Sequence, residues 1–423
     1  MTTVGIDDTD SRARGMCTTY VAHRVAERLA DDGHDVARVL LVRLNPAVEH
    51  KTRGNAALAV HTDAPVDSAF AVAEEIVEDA AEVGDERTNP GLVVAPGDPD
   101  AVPESVAAFA RDAVRDHHAL ADATALAESA GYRAAGWKNG RGRIGALAAV
   151  GAWRAFSEWT YEHIAYREES RWGTARDVDH ESVFAAADAA YPDAWDTVDR
   201  GEDETVCVPH TPGPILHGIR GDDPAACRAV AAAIDAEPTA GARLFVTNQG
   251  TDAHLRDADA LAALRDGRAY RVTGTVASMP ETRRGGHVFV DVADGTATVP
   301  CAAFEPTKRF RDRVRALREG DVVTVCGEVS EGTLKLEKFA LRERVTTELV
   351  TPTCPDCERT MESAGADQGY RCRDCGTRAD GKTAAPLDRT LSLGWYEVPP
   401  CARRHVARPL VRGTWDAPTN PER

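Results

Sequence analysis

Two cysteine pairs, Cys354 with Cys357 in CPDC and Cys372 with Cys375 in CRDC, dictate the fold of the segment that holds them. Fourteen residues separate the pairs. Each C-x-x-C is a knuckle that turns back to present both sulfurs, and two knuckles at this spacing can wrap one tetrahedral Zn²⁺ in thiolates. The segment, about 350–381, is too short for a hydrophobic core of its own, so the metal largely folds it. A closed four-thiolate shell leaves no position for a substrate, so this zinc is structural. The other six of the ten cysteines are scattered. No apolar run follows a basic start, and no stretch approaches the roughly 18 apolar residues of a membrane helix. The expected location is therefore the cytoplasm, where thiols stay reduced, with no membrane contact.

At 423 residues the chain is too long for a single core, and roughly two to four domains are expected. The first block reads as α/β. TTVGID is a short strand, and from Thr18 the pattern turns helical with Val21, Val25 and Leu29 on one face. DVARVLLVRL, NAALAVHT and NPGLVVAP read as strands. VDSAFAVAEEIVEDAAEV and AVPESVAAFARDAVRDHHAL read as helices, and GWKNGRGRIGALAAVGAW closes the block. In the second block TYEHIAYRE, DETVCVP, PILHGIRG and ARLFVTNQG are predicted strands. The helices are DHESVFAAADAAY, behind an Asp179 N-cap, and DPAACRAVAAAIDA, with Pro224 in its first turn. That order, βαββαβ, is ferredoxin-like. The third block is five strands with the helical PTKRFRDRVRALRE before the fourth, an OB-like pattern. The cysteine segment and a basic tail, LGWYEVPPCARRHVARPLVRG, follow. The expected divisions are 1–157, 158–262, 263–346 and 347–423, together a multidomain α+β chain.

The formal charge of −18 alone argues against a nucleic-acid partner. Only six residues are lysine, however, so arginine supplies nearly all the positive charge. Abundant carboxylates with scarce lysine are what a high-salt cytoplasm favours, so a halophilic source is expected and net charge is a poor guide to partners. The placement of arginines is more informative. The OB-like block gathers ten Arg and Lys between Arg268 and Arg318. Phe289, Phe304 and Phe310 are either stacking faces for bases or barrel core, and core is the commoner fate for each singly.

Asp7-Asp8-Thr9-Asp10 places three carboxylates directly after the first strand. Alternation lets Asp8 and Asp10 share a face, with Asp7 reaching from a bend. Hard oxygens suit Mg²⁺, which keeps waters and bridges to substrate phosphates. The helix start at Thr18 offers N–H groups to an anion. A solvated acidic loop explains the same residues equally well in so acidic a chain. Two loops favour the metal reading: HKTRGNAAL carries Lys51 and Arg53, and WKNGRGRIGALAA sets Lys138, Arg141 and Arg143 among Gly140, Gly142 and Gly145. Glycines allow close approach to phosphates, and cations neutralise them. No Walker A pattern occurs. An ordinary glycine turn with surface cations is the competing account of each loop.

The segments GIDDTDS with GMCTTY, RLNP with KTRGN, TNPGLVV, GRGRIGALAA, LFVTNQGTDAH, the OB block, the zinc pairs and PPCARRH together resemble the archaeal tRNA-isoleucine agmatidine synthetase family. The resemblance spans essentially the whole chain. It implies a kinase-like N-terminal domain followed by ferredoxin-like, OB and zinc-ribbon domains. It implies an ATP-dependent ligase acting on the isoleucine-2 tRNA, which has a CAU anticodon, with agmatine as co-substrate and no obligate protein partner. In that chemistry ATP goes to AMP, and a phosphoryl group is placed on the C2 oxygen of the wobble cytidine. The agmatine amine then displaces phosphate, and the anticodon reads AUA instead of AUG. By the same resemblance Asp7, Asp8 and Asp10 are the acidic catalytic motif and Thr18 its phosphorylatable threonine. Lys51, Arg53, Gly140, Arg141 and Gly142 correspond to phosphate-contacting loops. Two other classes compete: a non-catalytic tRNA-binding adaptor, which needs no Mg²⁺ carboxylates, and a metal-dependent RNA nuclease or phosphatase, which needs no ATP.

Overall fold

The computed structural model describes residues 1–51 and 54–423. Its N-terminal part contains β1 (Thr2–Asp7), α1 (Thr18–Asp31), β2 (Val36–Arg43), β3 (Ala56–Thr62), α2 (Val66–Ala80) and β4 (Gly91–Pro96). It continues with α3 (Glu104–Ala113), α4 (Leu120–Ser129), β5 (Arg133–Gly136) and α5 (Arg143–Ala155). These strands pair antiparallel in the order β5-β4-β1-β3-β2. Both faces are covered, which is why the strands read as near-continuous apolar runs. Val39 and Leu41 of β2, Leu58 and Val60 of β3, and Leu92 and Val94 of β4 face α1 and α2. Their neighbours Leu40, Val42, Ala57, Ala59, Val93 and Ala95 face α3, α4 and α5. Helix α5 lies very close to β1: a Cβ on Gly5 would sit 2.2 Å from the Ala146 carbonyl oxygen. The small residues of RIGALAAVGAW permit that approach.

The sheet continues without a break. β2 pairs in parallel with β9 (Thr239–Thr247) through Leu40–Val246 and Leu41–Thr247. Beyond β9 come β6 (Thr160–Arg167), β8 (Ile215–Gly221) and the two-residue β7 (Ala194–Trp195). They are crossed by α6 (His180–Ala190) and α7 (Pro224–Ala233). Asp179 caps α6, accepting from the Ser182 N–H at 2.7 Å, and Pro224 opens α7. The predicted strand DETVCVP is a run of turns instead. Asp203 has a left-handed φ of 54° and the Val208 N–H turns back to the Thr205 carbonyl, so 203–209 is bent and meets β8 through the Gly218 N–H and the Cys207 carbonyl at 2.9 Å. The long helix predicted through Leu120 ends at Ala113, and α4 and β5 were not foreseen.

The second sheet is a closed barrel. β11 (Arg268–Val276), β13 (Val288–Ala293), β14 (Thr298–Ala303), β15 (Val322–Ser330) and β16 (Thr333–Glu343) follow the five predicted strands. Antiparallel pairs link β11 to β13 and β15, β13 to β14, and β15 to β16, and a parallel β14–β16 contact closes the ring. The short α8 (Phe310–Arg315) places fully buried Phe310 and Val314 in the barrel core. Two more short strands attach: β10 (Leu255–Asp257) pairs with β11, and β12 (Glu281–Thr282) with β13. The cysteine segment carries three two-residue strands and is bracketed by the pair Thr347–Val350 with Thr383–Pro386. The basic tail is not loose. Gly394–Glu397 pairs antiparallel with β16, and the chain beyond it packs back onto the first sheet. Among the described residues no helix is long and apolar enough to cross a membrane.

Candidate functional site

Strand β1 stops at Asp7 because Asp8 adopts a left-handed φ of 59°. The bend is therefore at Asp8, and Asp7 is the strand-end carboxylate, the reverse of the expected arrangement. The Asp8 N–H donates to Asp7 Oδ1 at 2.7 Å, and the Asn89 N–H donates to Asp8 Oδ2 at 3.0 Å. The loop that follows is pinched by a Ser11–Gly15 bridge and anchored by Ser11 Oγ to Asp85 at 2.6 Å. Thr88 Oγ1 donates to the Asp10 carbonyl. This loop delivers the chain to α1, whose first residue is Thr18. Cys17 ahead of it is extended and makes no side-chain cap, so the N–H groups of the first turn lack a side-chain acceptor there. Thr9 Oγ1 donates to Thr18 Oγ1 at 3.1 Å.

Asp7, Asp8, Asp10 and Thr18 line one cavity of about 520 Å³. Burial, then the Asp8 and Asp10 charges, hold the Asp7 carboxyl well above its ordinary range. Burial, then Asp10, raise Asp8 to about 6 against the pull of the Asn89 N–H and of Arg141 and Lys138. A cluster this reluctant to ionise is short of positive charge. The three carboxylates do not converge as a ready-made three-ligand cage: among the described residues only the four cysteines bring three or more ligand atoms within 4.8 Å of one another. Such divergence fits a hard cation that takes one or two carboxylates and completes its shell with water and phosphate.

Of the loop residues, Lys51, Arg141 and Gly142 line the cavity, and Gly140 does not. Arg53 lies outside the described residues. Lys51 Nζ donates to the Pro46 carbonyl, and an Arg141 guanidinium N–H donates to the His50 carbonyl at 2.9 Å. The glycines have a tighter role than a phosphate cradle alone. A Cβ on Gly142 would fall 2.5 Å from the Gly91 nitrogen, and one on Gly145 would fall 2.0 Å from Asp7 Oδ2. They let the start of α5 press against the acidic strand end.

The opposite wall was not foreseen. Arg43 at the end of β2 lies 3.9 Å from Glu162 on β6. Gln249 Nε2 donates to Glu162, and Gln249 Oε1 is 3.1 Å from His405 Nδ1. The Asn248 amide brackets the Arg43 backbone at 2.7 and 3.0 Å. Arg220 and Arg403 complete the wall around Asp196. The signal was present in LFVTNQGTDAH and PPCARRH, where polar residues sit at a strand end and in a tail, but neither stretch reveals its partner. The cavity thus sets carboxylates and a helix start against guanidinium groups, an arrangement that holds phosphates between cations. In the fourth unit the Sγ atoms of Cys354, Cys357, Cys372 and Cys375 lie within 4.8 Å of one another, with Cys354 and Cys372 buried. That donor set fits a tetrahedral zinc.

Models of known families match four stretches of the chain: residues 3–65 (TiaS TCKD domain), 140–254 (TiaS FLD domain), 270–341 (OB-fold nucleic acid binding domain) and 351–391 (TiaS C-terminal zinc ribbon domain). The chain is 55% identical to the isoleucine-2 tRNA 2-agmatinylcytidine synthetase TiaS of Haloquadratum walsbyi, with 100% of both chains covered. It superposes on the crystal structure of TiaS in complex with isoleucine-2 tRNA and ATP with a TM-score of 0.90, at 40% identity over 99% of each chain. For the complex of TiaS with the same tRNA, AMPCPP and agmatine the TM-score is 0.87, at 38% identity over 99% of this chain and 98% of that one.

Proposed function

The chain belongs to the isoleucine-2 tRNA 2-agmatinylcytidine synthetase family, and from that premise we propose how its cavity works. It is an ATP-dependent enzyme that forms agmatidine on the isoleucine-2 tRNA, with agmatine as the second substrate. In our reading 1–157 is a kinase-like catalytic unit and 158–262 is ferredoxin-like. The strand order β9-β6-β8-β7 with two crossing helices supports the second assignment. The barrel 263–346 and the unit 347–423 hold the RNA, and Zn²⁺ sits on the four cysteines. The reaction takes place in the cytoplasm.

One observation carries the mechanism: Asp7, Asp8, Asp10 and Thr18 share a cavity with Arg43, Arg141 and Lys51. The polyphosphate of ATP lies between the helix start at Thr18 and these cations. Asp7, Asp8 and Asp10 would hold Mg²⁺, which supplies charge neutralisation for phosphoryl transfer. Thr18 is a phosphoryl acceptor in this reading. The C2 oxygen of the wobble cytidine is a poor leaving group until a phosphoryl group is placed on it. The agmatine amine then forms a C–N bond at C2 and loses a proton as the C–O bond breaks and phosphate departs; the second phosphoryl group passes to water as phosphate, so that ATP ends as AMP and two phosphates. Arg43 and Arg141 stabilise the charge that gathers on phosphate oxygens. Incubation with ATP, labelled agmatine and the isoleucine-2 tRNA should place label in the tRNA. Thr18→Ala should abolish protein-bound phosphate and impair transfer. Full transfer by Thr18→Ala would defeat the threonine assignment, and absence of label with wild type would defeat the whole reading.

A further inference from the structure

We propose that His405 is the proton acceptor of the transfer step: its Nε2 takes the proton that the agmatine nitrogen loses and passes it to the departing phosphate. This rests on the reaction proposed above, which releases that proton and names no group to receive it. The tail is pinned where His405 meets the cavity. The Gly250 N–H donates to the His405 carbonyl at 2.8 Å, and the Asp252 N–H donates to the Val406 carbonyl at 2.9 Å. The residue is set deep in the fold and is nevertheless solvent-exposed, because it lines the cavity. Its tautomer follows from its neighbours. Glu162 lies 3.9 Å from the Arg43 guanidinium and, as a carboxylate, only accepts. Gln249 turns its NH2 to Glu162. Gln249 is fully buried, so neither of its bonds is exchanged for one to water. Its Oε1, an acceptor, is then left 3.1 Å from His405 Nδ1. Nδ1 carries the hydrogen, and the neutral ring keeps its lone pair on Nε2. That nitrogen lies across the ring from Gln249, on the side left to the cavity.

The charges around the ring suit a relay. Arg43 from β2, then burial, then Arg220 from β8 hold His405 well below its ordinary 6.5. Glu162 on β6 acts on it through Gln249. Its tail neighbours are already paired, Arg403 with Asp196 and Glu397, and Arg404 with Glu328 and Glu337. The ring is therefore neutral when the step begins and gives a proton up readily once it has one. A weak base is sufficient, because hydrogens on the nitrogen become acidic as the C–N bond forms. Arg43 Nε and Arg220 Nη1 are buried and, among the described residues, have no hydrogen-bond partner. Both arginines line the cavity with His405 and offer the departing phosphate a place beside the ring. Of the carboxylates there, Asp7, Asp8 and Asp10 face the cation in our reading, and Asp116 pairs with Arg256 and Arg268. The step balances. Agmatine reacts as the free amine, and its nitrogen lone pair forms the bond to C2. The N–H electrons stay on nitrogen as the proton moves to His405 Nε2, and the C–O electrons leave with phosphate. The imidazolium then protonates the phosphate, and the ring is neutral for the next turnover.

The test is single-turnover agmatine transfer by full-length His405→Ala and His405→Gln, with ATP, labelled agmatine and the isoleucine-2 tRNA. Both should be slower than wild type by about a hundredfold or more. Imidazole added to His405→Ala should recover at least about tenfold of that loss, tracking its unprotonated fraction as pH is varied. Pyrazole, of the same size but a far weaker base, should recover none, which a merely structural defect would not distinguish. Gln249→Leu removes the acceptor that fixes the tautomer and should slow transfer about tenfold. Imidazole should leave that variant slow, because the His405 ring still fills the position. A wild-type rate in His405→Gln, equal rescue by pyrazole and imidazole, or a folded His405→Ala that imidazole does not rescue each overturns the relay. If His405→Ala does not fold, the rate of His405→Gln decides. Wild type that makes no agmatidine would defeat the proposed reaction and the relay with it. Wild type that makes it no faster than His405→Gln would defeat the relay alone.

Discussion

Gly145 measures how little room the acidic wall leaves. Its missing side chain faces Asp7 Oδ2 at 2.0 Å and Leu44 Cδ1 at 2.9 Å, so any β-carbon there must move the carboxylate. Gly145→Ala should cost about 1–3 kcal/mol of stability through overpacking. It should also lower agmatine transfer about a hundredfold, because a reacting group displaced by an ångström loses its alignment. Gly33→Ala separates the two effects. Gly33 has a φ of 91° with nothing near its would-be Cβ, so the variant should show strain of about 1–2 kcal/mol and full activity. Denaturant melts and initial rates on the two proteins check this, and equal rates would mean that Asp7 does not need its position. At Asp8 the charge matters more than the shape. Asp8→Asn keeps the acceptor for the Asn89 N–H and removes the negative charge. ATP turnover should fall at least about tenfold while tRNA affinity holds; turnover at the wild-type rate would make the cluster a solvated loop after all.

The elements that were legible in sequence are those whose pattern is local. The strands β2, β3 and β4 show as apolar runs because helices cover both faces, and the barrel strands show as alternation because one face is wet. The zinc knuckles and the Asp7–Asp10 cluster are also local, each contained in a few consecutive residues. What could not be read is assembled from distance. Arg43, Glu162, Gln249 and His405 meet in one wall from four separate parts of the chain. The turn at 203–209 is apolar enough to be a strand, but the left-handed Asp203 and the turn at Thr205–Val208 bend it, and it meets β8 where the Gly218 N–H donates to the Cys207 carbonyl at 2.9 Å. The C-terminal tail reads as a basic arm, yet Arg403, Arg404, Arg408 and Arg412 are spent on ion pairs with the rest of the fold. Arg403 pairs with Asp196 and, at 2.8 Å, with Glu397, and all three are buried. Arg412 holds Asp222 at 2.7 Å. The tail is thus a strap between the barrel and the first sheet. Arg403→Met leaves two buried carboxylates short of a partner and should cost about 3–5 kcal/mol. Equilibrium unfolding against wild type measures it; a loss under about 1 kcal/mol would reduce the strap to a surface contact.

At the scale of the whole molecule, buried histidines set how the fold responds to acid. His61, His23 and His217 are all buried, and burial lowers them to about 3, 4 and 4. His61 is the sharpest case. It lies on β3, edge-on to Trp153 at 6.2 Å, and among the described residues neither ring nitrogen has a hydrogen-bond partner. Burial is the larger cause of its shift; Arg38 lowers it further, and Asp98 opposes weakly. Below pH 6.5 the unfolded chain protonates this ring and the folded one does not, so the unfolded state binds more protons. Stability contributed by the neutral ring is present above pH 6.5 and is lost as pH falls toward 3. Asp8 acts with the opposite sign: its folded value, about 6, is above the usual 3.8, so its contribution improves as pH falls through 6. A bulk acid titration mixes these terms, but a substitution separates them. His61→Phe keeps a ring of similar size and has nothing to titrate. Between pH 7 and pH 5 wild type should lose about 2 kcal/mol more than the variant, one proton's worth over the interval below 6.5. Chemical denaturation of both proteins at the two pH values, at one high and constant KCl concentration, gives the difference directly. Parallel losses in the two proteins would show that His61 is not held neutral by its burial.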